Sequence, residues 1–186
     1  MRILKLQRIG TGLKHYTEKL SHDGFKSIFD HIDQISVKRS VDKLGLDKFI
    51  NQCAYIAAGS GAISGTGGML TMIVGMPVDV VNLLSQQFRV TMAIMYYNRG
   101  TYQMGFEEFM KLVATSFKVE AGVAVTKTMM EGIAEKIIMN LGARTAERLV
   151  PVVGAVIGGT ANYLFIKRMA ESVKKMQVVP LVIQVT

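Results

Sequence analysis

Apolar residues recur every three to four positions along almost the whole chain. That spacing predicts helices, because it gathers positions i, i+3, i+4 and i+7 on one face. Ile3, Leu6, Ile9, Leu13, Tyr16 and Leu20 make the first stripe, with Arg2, Lys5, Arg8, Lys14 and Lys19 on the other sides. Phe25, Ile28, Phe29, Ile32 and Ile35 make the second, and Ser21 or Asp23 can cap it. "KLGLDKF" turns the chain at Gly45, where Asp47 can cap a helix reaching Ala58. A further helix is predicted from about Met69 to Tyr97, bent where Pro77 follows Gly75 and Met76. After the turn "NRGTYQMG", one long helix is predicted from Phe106 to Leu141, stopped at Gly142. The chain breaks at Pro151 and runs on as a last helix to about Lys175. The tail "VVPLVIQVT" reads as a docked extension.

These elements predict an all-α, single-domain bundle. Residues 1–48 form amphipathic N-terminal helices, residues 49–176 the core, and residues 177–186 an apolar tail.

Residues 49–78 carry no charge, and this run of thirty exceeds the ~20 residues that span a bilayer. Gly59, Gly61, Gly65, Gly67 and Gly68 crowd into it, however. Each interior glycine weakens a helix by roughly 0.5–1 kcal/mol, so two helices broken near 59–68 are predicted. The cluster is no phosphate loop, since the first lysine after Gly68 is Lys111. Nor is it a dinucleotide fingerprint, since Ser64 stands at the third glycine and no βαβ pattern surrounds it. Small residues do lie four apart, at Ala57, Gly61 and Gly65 and again at Ser60, Ser64 and Gly68. Such spacing lets another backbone come close. Close helix packing is therefore expected at Gly61, Gly65, Gly68, Gly75, Gly154, Gly158 and Gly159.

Charge sharpens the picture. The net charge is +8, yet residues 49–98 hold only Asp79 and Arg89. The basic excess sits towards both ends, a distribution suited to an anionic membrane surface or lipid as partner. No basic stripe is interleaved with stacking aromatics, so no nucleic-acid partner is expected. The thirteen methionines and absence of tryptophan describe an adaptable apolar interior. Cys53 is the only cysteine, so no intramolecular disulfide forms, and its apolar setting makes it a buried, inert thiol. The N-terminus lacks the continuous apolar core of a secretory signal, which leaves a cytoplasmic location as the expectation. His15, His22 and His31 lie in no metal-binding spacing, and no nucleophile motif is present. No metal, cofactor or catalytic residue is assigned.

Two polar residues stand out in apolar surroundings. Asp79 is flanked by Val78, Val80 and Val81, and Asn162 follows "VGAVIGGTA". Burying either demands a partner. One reading is a polar latch that fixes helix register, with Asp79 paired to Arg89 across a kink, to a lysine of the 106–141 helix, or to backbone near Pro77. The other is a headgroup or ligand site made by Asp79, Arg89, Asn162 and Tyr163.

Residues 68–100, "GMLTMIVGMPVDVVNLLSQQFRVTMAIMYYNRG", resemble the glycine, proline–aspartate helix and tyrosine-containing turn of the EcsC family. Residues 146–175, "AERLVPVVGAVIGGTANYLFIKRMAESVKK", resemble that family's closing motif more closely. The likeness covers about residues 50–175. Val80 and Val81 depart from the second proline of the pattern, and "YYNRG" from its turn. The resemblance implies a helical, non-enzymatic protein that is membrane-associated or lipid-binding, accessory to a membrane transporter or envelope process and peripheral at the membrane. Two alternatives stand beside it. One is an integral protein with spans at about 53–76 and 149–166. The other is an enzyme using Asp79, with the 99–103 turn nearby.

Overall fold

The computed structural model describes residues 20, 22–59, 78–119, 124–145 and 151–178, with backbone alone at 78–79, 138–145, 151–158 and 177–178. The described residues form seven helices and no strand. These are α1 (His22–Asp30), α2 (Gln34–Leu44), α3 (Leu46–Ala58), α4 (Val78–Arg99), α5 (Phe106–Ser116), α6 (Lys127–Thr145) and α7 (Pro151–Val178). The protein is all-α. The first stripe up to residue 19, the residues between Gly59 and Val78 with Gly61, Gly65, Gly68 and Gly75, and most of the tail lie outside the described residues.

Helix α4 is the axis of the bundle. Residues 83–88 and 90–95 are all buried, so the helix is covered on every side. It packs against α1, α2, α3 and α7, while α5 joins α6 and α7. An aromatic cluster ties three helices together. Phe88 of α4 meets Phe25 of α1 at 6.1 Å and Phe109 of α5 at 4.7 Å, and Phe29 closes the ring on Phe109 at 5.1 Å. Each such side chain stabilises the fold by about 1.5–3 kcal/mol through burial alone. One continuous core runs from Leu20 to Val173, so the described part of 1–48 shares it with the later helices.

Several boundaries differ from the periodicity, and α6 runs through the stop expected at Gly142 to Thr145. The second stripe is two helices. Asp33 accepts from the backbone N–H groups of Ile35 and Ser36 at 2.9 and 3.1 Å and starts α2 afresh. The new phase leaves Ile35 45% exposed instead of buried. At the next turn Gly45, with φ +79°, ends α2 and begins α3. Asp47 is no cap: its carboxylate takes a hydrogen bond from Lys174 of α7 at 2.7 Å.

The helix predicted over 106–141 is also two. Lys118 adopts φ +55°, Val119 N–H reaches back to Ala114 O at 2.9 Å, and Lys118 N–H to Thr115 O at 3.0 Å. That pair of bonds is the Schellman ending, here with lysine where glycine is favoured. Thr126 then caps α6 through Met129 N–H at 3.1 Å. Left-handed backbone costs a side-chain-bearing residue about 1–2 kcal/mol. Lys118→Gly is therefore expected to raise stability by about 1 kcal/mol, read as a higher urea midpoint at unchanged slope.

The opening of α7 follows the sequence, since Pro151 is its first residue, where a missing N–H is harmless. No helix among the described residues is long and apolar enough to cross a membrane. Segment 53–76 lies largely outside the described residues, whereas 151–166 forms the first half of α7.

Candidate functional site

The last carbonyls of a helix have no partner within it. At the end of α3 two neighbouring helices supply what is missing. Asn82 of α4 donates through Nδ2 to Ile56 O at 3.1 Å, and Asn162 of α7 donates through Nδ2 to Ala57 O at 3.1 Å. The next carbonyl, Ala58 O, faces Gly159 of α7. A Cβ placed on Gly159 would lie 2.9 Å from that oxygen, closer than a side chain tolerates. Gly159 thus admits α7 to the backbone of α3. Gly154 and Gly158 lie in α7 on described backbone, but their surroundings are outside the described residues.

From this crossing α7 runs antiparallel along α3. Tyr55 and Tyr163 meet with ring centroids 5.1 Å apart, Lys167 donates to Asn51 Oδ1 at 2.9 Å, and Lys174 to Asp47. The Lys174 hydrogen bond, aided by its charge, holds the Asp47 carboxyl below the usual carboxylate range. The exposed Lys174–Asp47 ion pair and the part-buried contacts beside it each contribute little stability. They fix register.

The sequence candidates do not converge on one pocket. Asn162 is buried at the α3 end, and Tyr163 lies on the surface seam beside Tyr55. Arg89 lies elsewhere, stacked over Phe49 with its guanidinium carbon 5.6 Å from the ring centroid. Phe49 precedes Ala57 by eight residues, about 12 Å of helix rise. Asp79 lies in the first turn of α4, with its side chain outside the described residues. Pairing of Asp79 with Arg89 across a kink is overturned. Both stand on one unbroken helix ten residues apart, or about 15 Å of rise. The same helix carries the 99–103 turn about 30 Å from Asp79, so that turn is not near it.

Asn82 was not singled out by the sequence, although it is the residue that acts beside Asn162. Nor were Gln86 and Gln87. Gln86 Oε1, both amide atoms of Gln87, Arg89 Nε and Asn162 Oδ1 are buried without a hydrogen-bond partner among the described residues. Polar side chains in the middle of an apolar run are the signal that marks them. A shallow groove of about 500 Å³ lies between Ile32–Ile35 and Tyr102–Gly105. Gln34 anchors its far wall, donating to Met104 O at 3.2 Å and accepting from Met104 N–H at 3.1 Å. None of the sequence candidates lines it.

Among the described residues no three His, Cys, Asp or Glu side chains come together to hold a metal. Cys53 is buried between α3 and α4, and desolvation pushes its thiol up to about 12 against the opposing charge of Arg89. A thiol so placed is a poor nucleophile. Above about pH 9 the unfolded chain releases this proton while the native state keeps it. Stability should then fall by about 1.4 kcal/mol per pH unit from this group. Comparing urea unfolding of the protein and of Cys53→Ala between neutral and alkaline pH checks this: the variant should show a shallower alkaline loss. Native Cys53 should also resist alkylation until the chain unfolds.

No protein-family model matches the chain, and no curated protein or solved structure matches it either.

Proposed function

We propose that this chain is an EcsC-like, non-enzymatic helical protein that sits peripherally on the cytoplasmic side of a membrane. It binds lipid there, in the service of a membrane protein such as a transporter. The sequence likeness over residues 68–100 and 146–175 supports the family, and the basic ends support the surface. One structural observation carries the reading. The Asn82–Ile56 and Asn162–Ala57 bonds bring the end of α3, the start of α4 and the first half of α7 to one pole of the bundle. The described parts of two uncharged stretches of the sequence, residues 56–58 and 159–162, meet at that pole. Tyr55 and Leu164 stand exposed beside it, 68% and 42% accessible. An apolar end edged by tyrosine suits the boundary between headgroups and acyl chains, where tyrosine concentrates.

Flotation of the full chain with phosphatidylcholine vesicles, with and without phosphatidylserine, tests this. Binding at low salt that strengthens with the anionic lipid is expected. Failure to float with either vesicle removes the reading.

A further inference from the structure

We infer that the protein meets an anionic bilayer with one particular face, the outer surface of the α3–α7 pair. This inference rests on the membrane reading and adds the docking surface and its headgroup charge. Three observations converge on it. First, α3 and α7 are held in fixed antiparallel register from Gly159–Ala58 to Lys174–Asp47, so their outer stripes form a single rigid surface. Secondly, that surface is polarised. Its end nearest the uncharged pole carries the Tyr55–Tyr163 ring pair and Leu164, and Tyr55 is the most accessible large hydrophobic residue among those described. Thirdly, the rest of it is basic. Lys48 lies two helical turns before Tyr55 on α3, and Arg168 and Lys175 follow Leu164 along the exposed stripe of α7. Lys167 and Lys174 add to the charge at the seam, against Asp47 and Glu171.

The two halves of the face have complementary partners in one object. Tyrosine and leucine enter the interfacial layer, and ammonium and guanidinium groups meet phosphate and carboxylate headgroups beside it. Lys48, Arg168 and Lys175 are exposed and make no ion pair among the described residues, so their charge is free for this purpose. The partner is therefore an anionic phospholipid surface, not an isolated small ligand, since the basic groups are spread along the exposed stripes of two helices and not gathered round one point among the described residues.

The test uses the full chain and the same two vesicle types. The triple variant Lys48→Glu, Arg168→Glu, Lys175→Glu should lose at least about tenfold in affinity for phosphatidylserine-containing vesicles, given six units of charge removed near the surface. Tyr55→Ser with Leu164→Ser should weaken binding to both vesicle types. Arg39→Glu with Lys136→Glu, on the exposed sides of α2 and α6, should change affinity less than about threefold, because screening confines the attraction to the face that touches the membrane. Circular dichroism serves as the check that each variant keeps its helices. Equal loss in the Arg39/Lys136 control would assign binding to net charge and overturn the inference. So would undiminished flotation of the triple variant. A dimer that Tyr55→Ser dissolves while flotation persists would give the face to a second copy and also overturn it. If the unaltered chain floats with neither vesicle, the membrane reading itself fails, an outcome distinct from all of these.

Discussion

Replacing Gly159 by valine is expected to lower stability by about 3 kcal/mol, and by alanine by about 1–2 kcal/mol. Two effects compete. In an open helix interior, glycine to alanine gains about 1 kcal/mol of propensity. Here the new Cβ would sit 2.9 Å from Ala58 O, a backbone atom at the end of α3 that has no rotamer to escape into. The helices must part. Parting them stretches the Asn162–Ala57 bond and the apolar contacts on either side, so overpacking wins over propensity. Valine adds two γ carbons to the same collision. For a chain of this length the valine variant should melt roughly 6–12 °C lower. Gly100 is a useful comparison: its left-handed φ of +71° makes substitution costly by strain, with nothing within 4 Å to collide with. A Gly159→Ala variant more stable than the parent would show that α7 does not approach α3 this closely.

Asn162→Asp is expected to cost at least about 3 kcal/mol at neutral pH. The native amide donates to Ala57 O from a position 3% exposed. A carboxylate there has no proton to donate, faces a carbonyl oxygen, and sits at the negative end of the α3 dipole. All three disfavour the charged form, so the introduced carboxyl should titrate above its usual ~3.9. The sign follows. Well below pH ~4 both folded and unfolded states are protonated, and the acid can donate to Ala57 O, so the deficit is small. As the pH rises, the unfolded chain loses the proton first and the deficit grows until the native group ionises. Asn162→Leu removes the donor without introducing a charge, leaving Ala57 O unpaired, and should cost about 1–3 kcal/mol with no pH dependence. Chemical denaturation of both variants at acidic and neutral pH separates them. A deficit for Asn162→Asp that is the same at both would mean that the side chain is hydrated and not holding α3.

The same two residues show how far the sequence could be read. The all-α class is open to inspection, because a 3.6-residue apolar period is strong in α1, α2, α3 and α5, and α4 is too long an apolar run for a strand. Gly159 is legible in the sequence as a small residue beside apolar ones, and Asn162 as a polar residue that needs a partner. What no local pattern contained was the partner. It is a backbone carbonyl 105 positions away, and every residue type has one. Asp79, three residues earlier, overshadows Asn82 in the sequence, since a carboxylate in a valine run is the costlier group to bury. Geometry reverses that order, because the orphan carbonyls of α3 want donors, which an amide has and a carboxylate lacks.

The missed helix breaks have a related cause. The apolar stripe continues through Ile35 and through Phe117 to Met130, so periodicity bridges both gaps. The stops are instead a single carboxylate at Asp33 and a lysine in a left-handed turn at Lys118. Lysine carries no sequence signal for that conformation. The surface seam was equally hidden. Lys167 and Lys174 are seven apart on α7, and Asn51 and Asp47 four apart on α3. Only the antiparallel crossing set by Gly159 brings them opposite one another.

The most direct test of the account exploits the absence of tryptophan from the chain. Tyr55→Trp places a single fluorescent reporter at the aromatic end of the proposed membrane face, and Tyr97→Trp places one at an equally accessible position near the far end of α4, where tyrosine is 64% exposed. With phosphatidylserine-containing vesicles, emission from the first variant should shift to the blue as the ring enters the interface, while emission from the second stays at its value in buffer. Unchanged emission from Tyr55→Trp under conditions where the protein floats with the vesicles, or a shift at Tyr97→Trp alone, would contradict it.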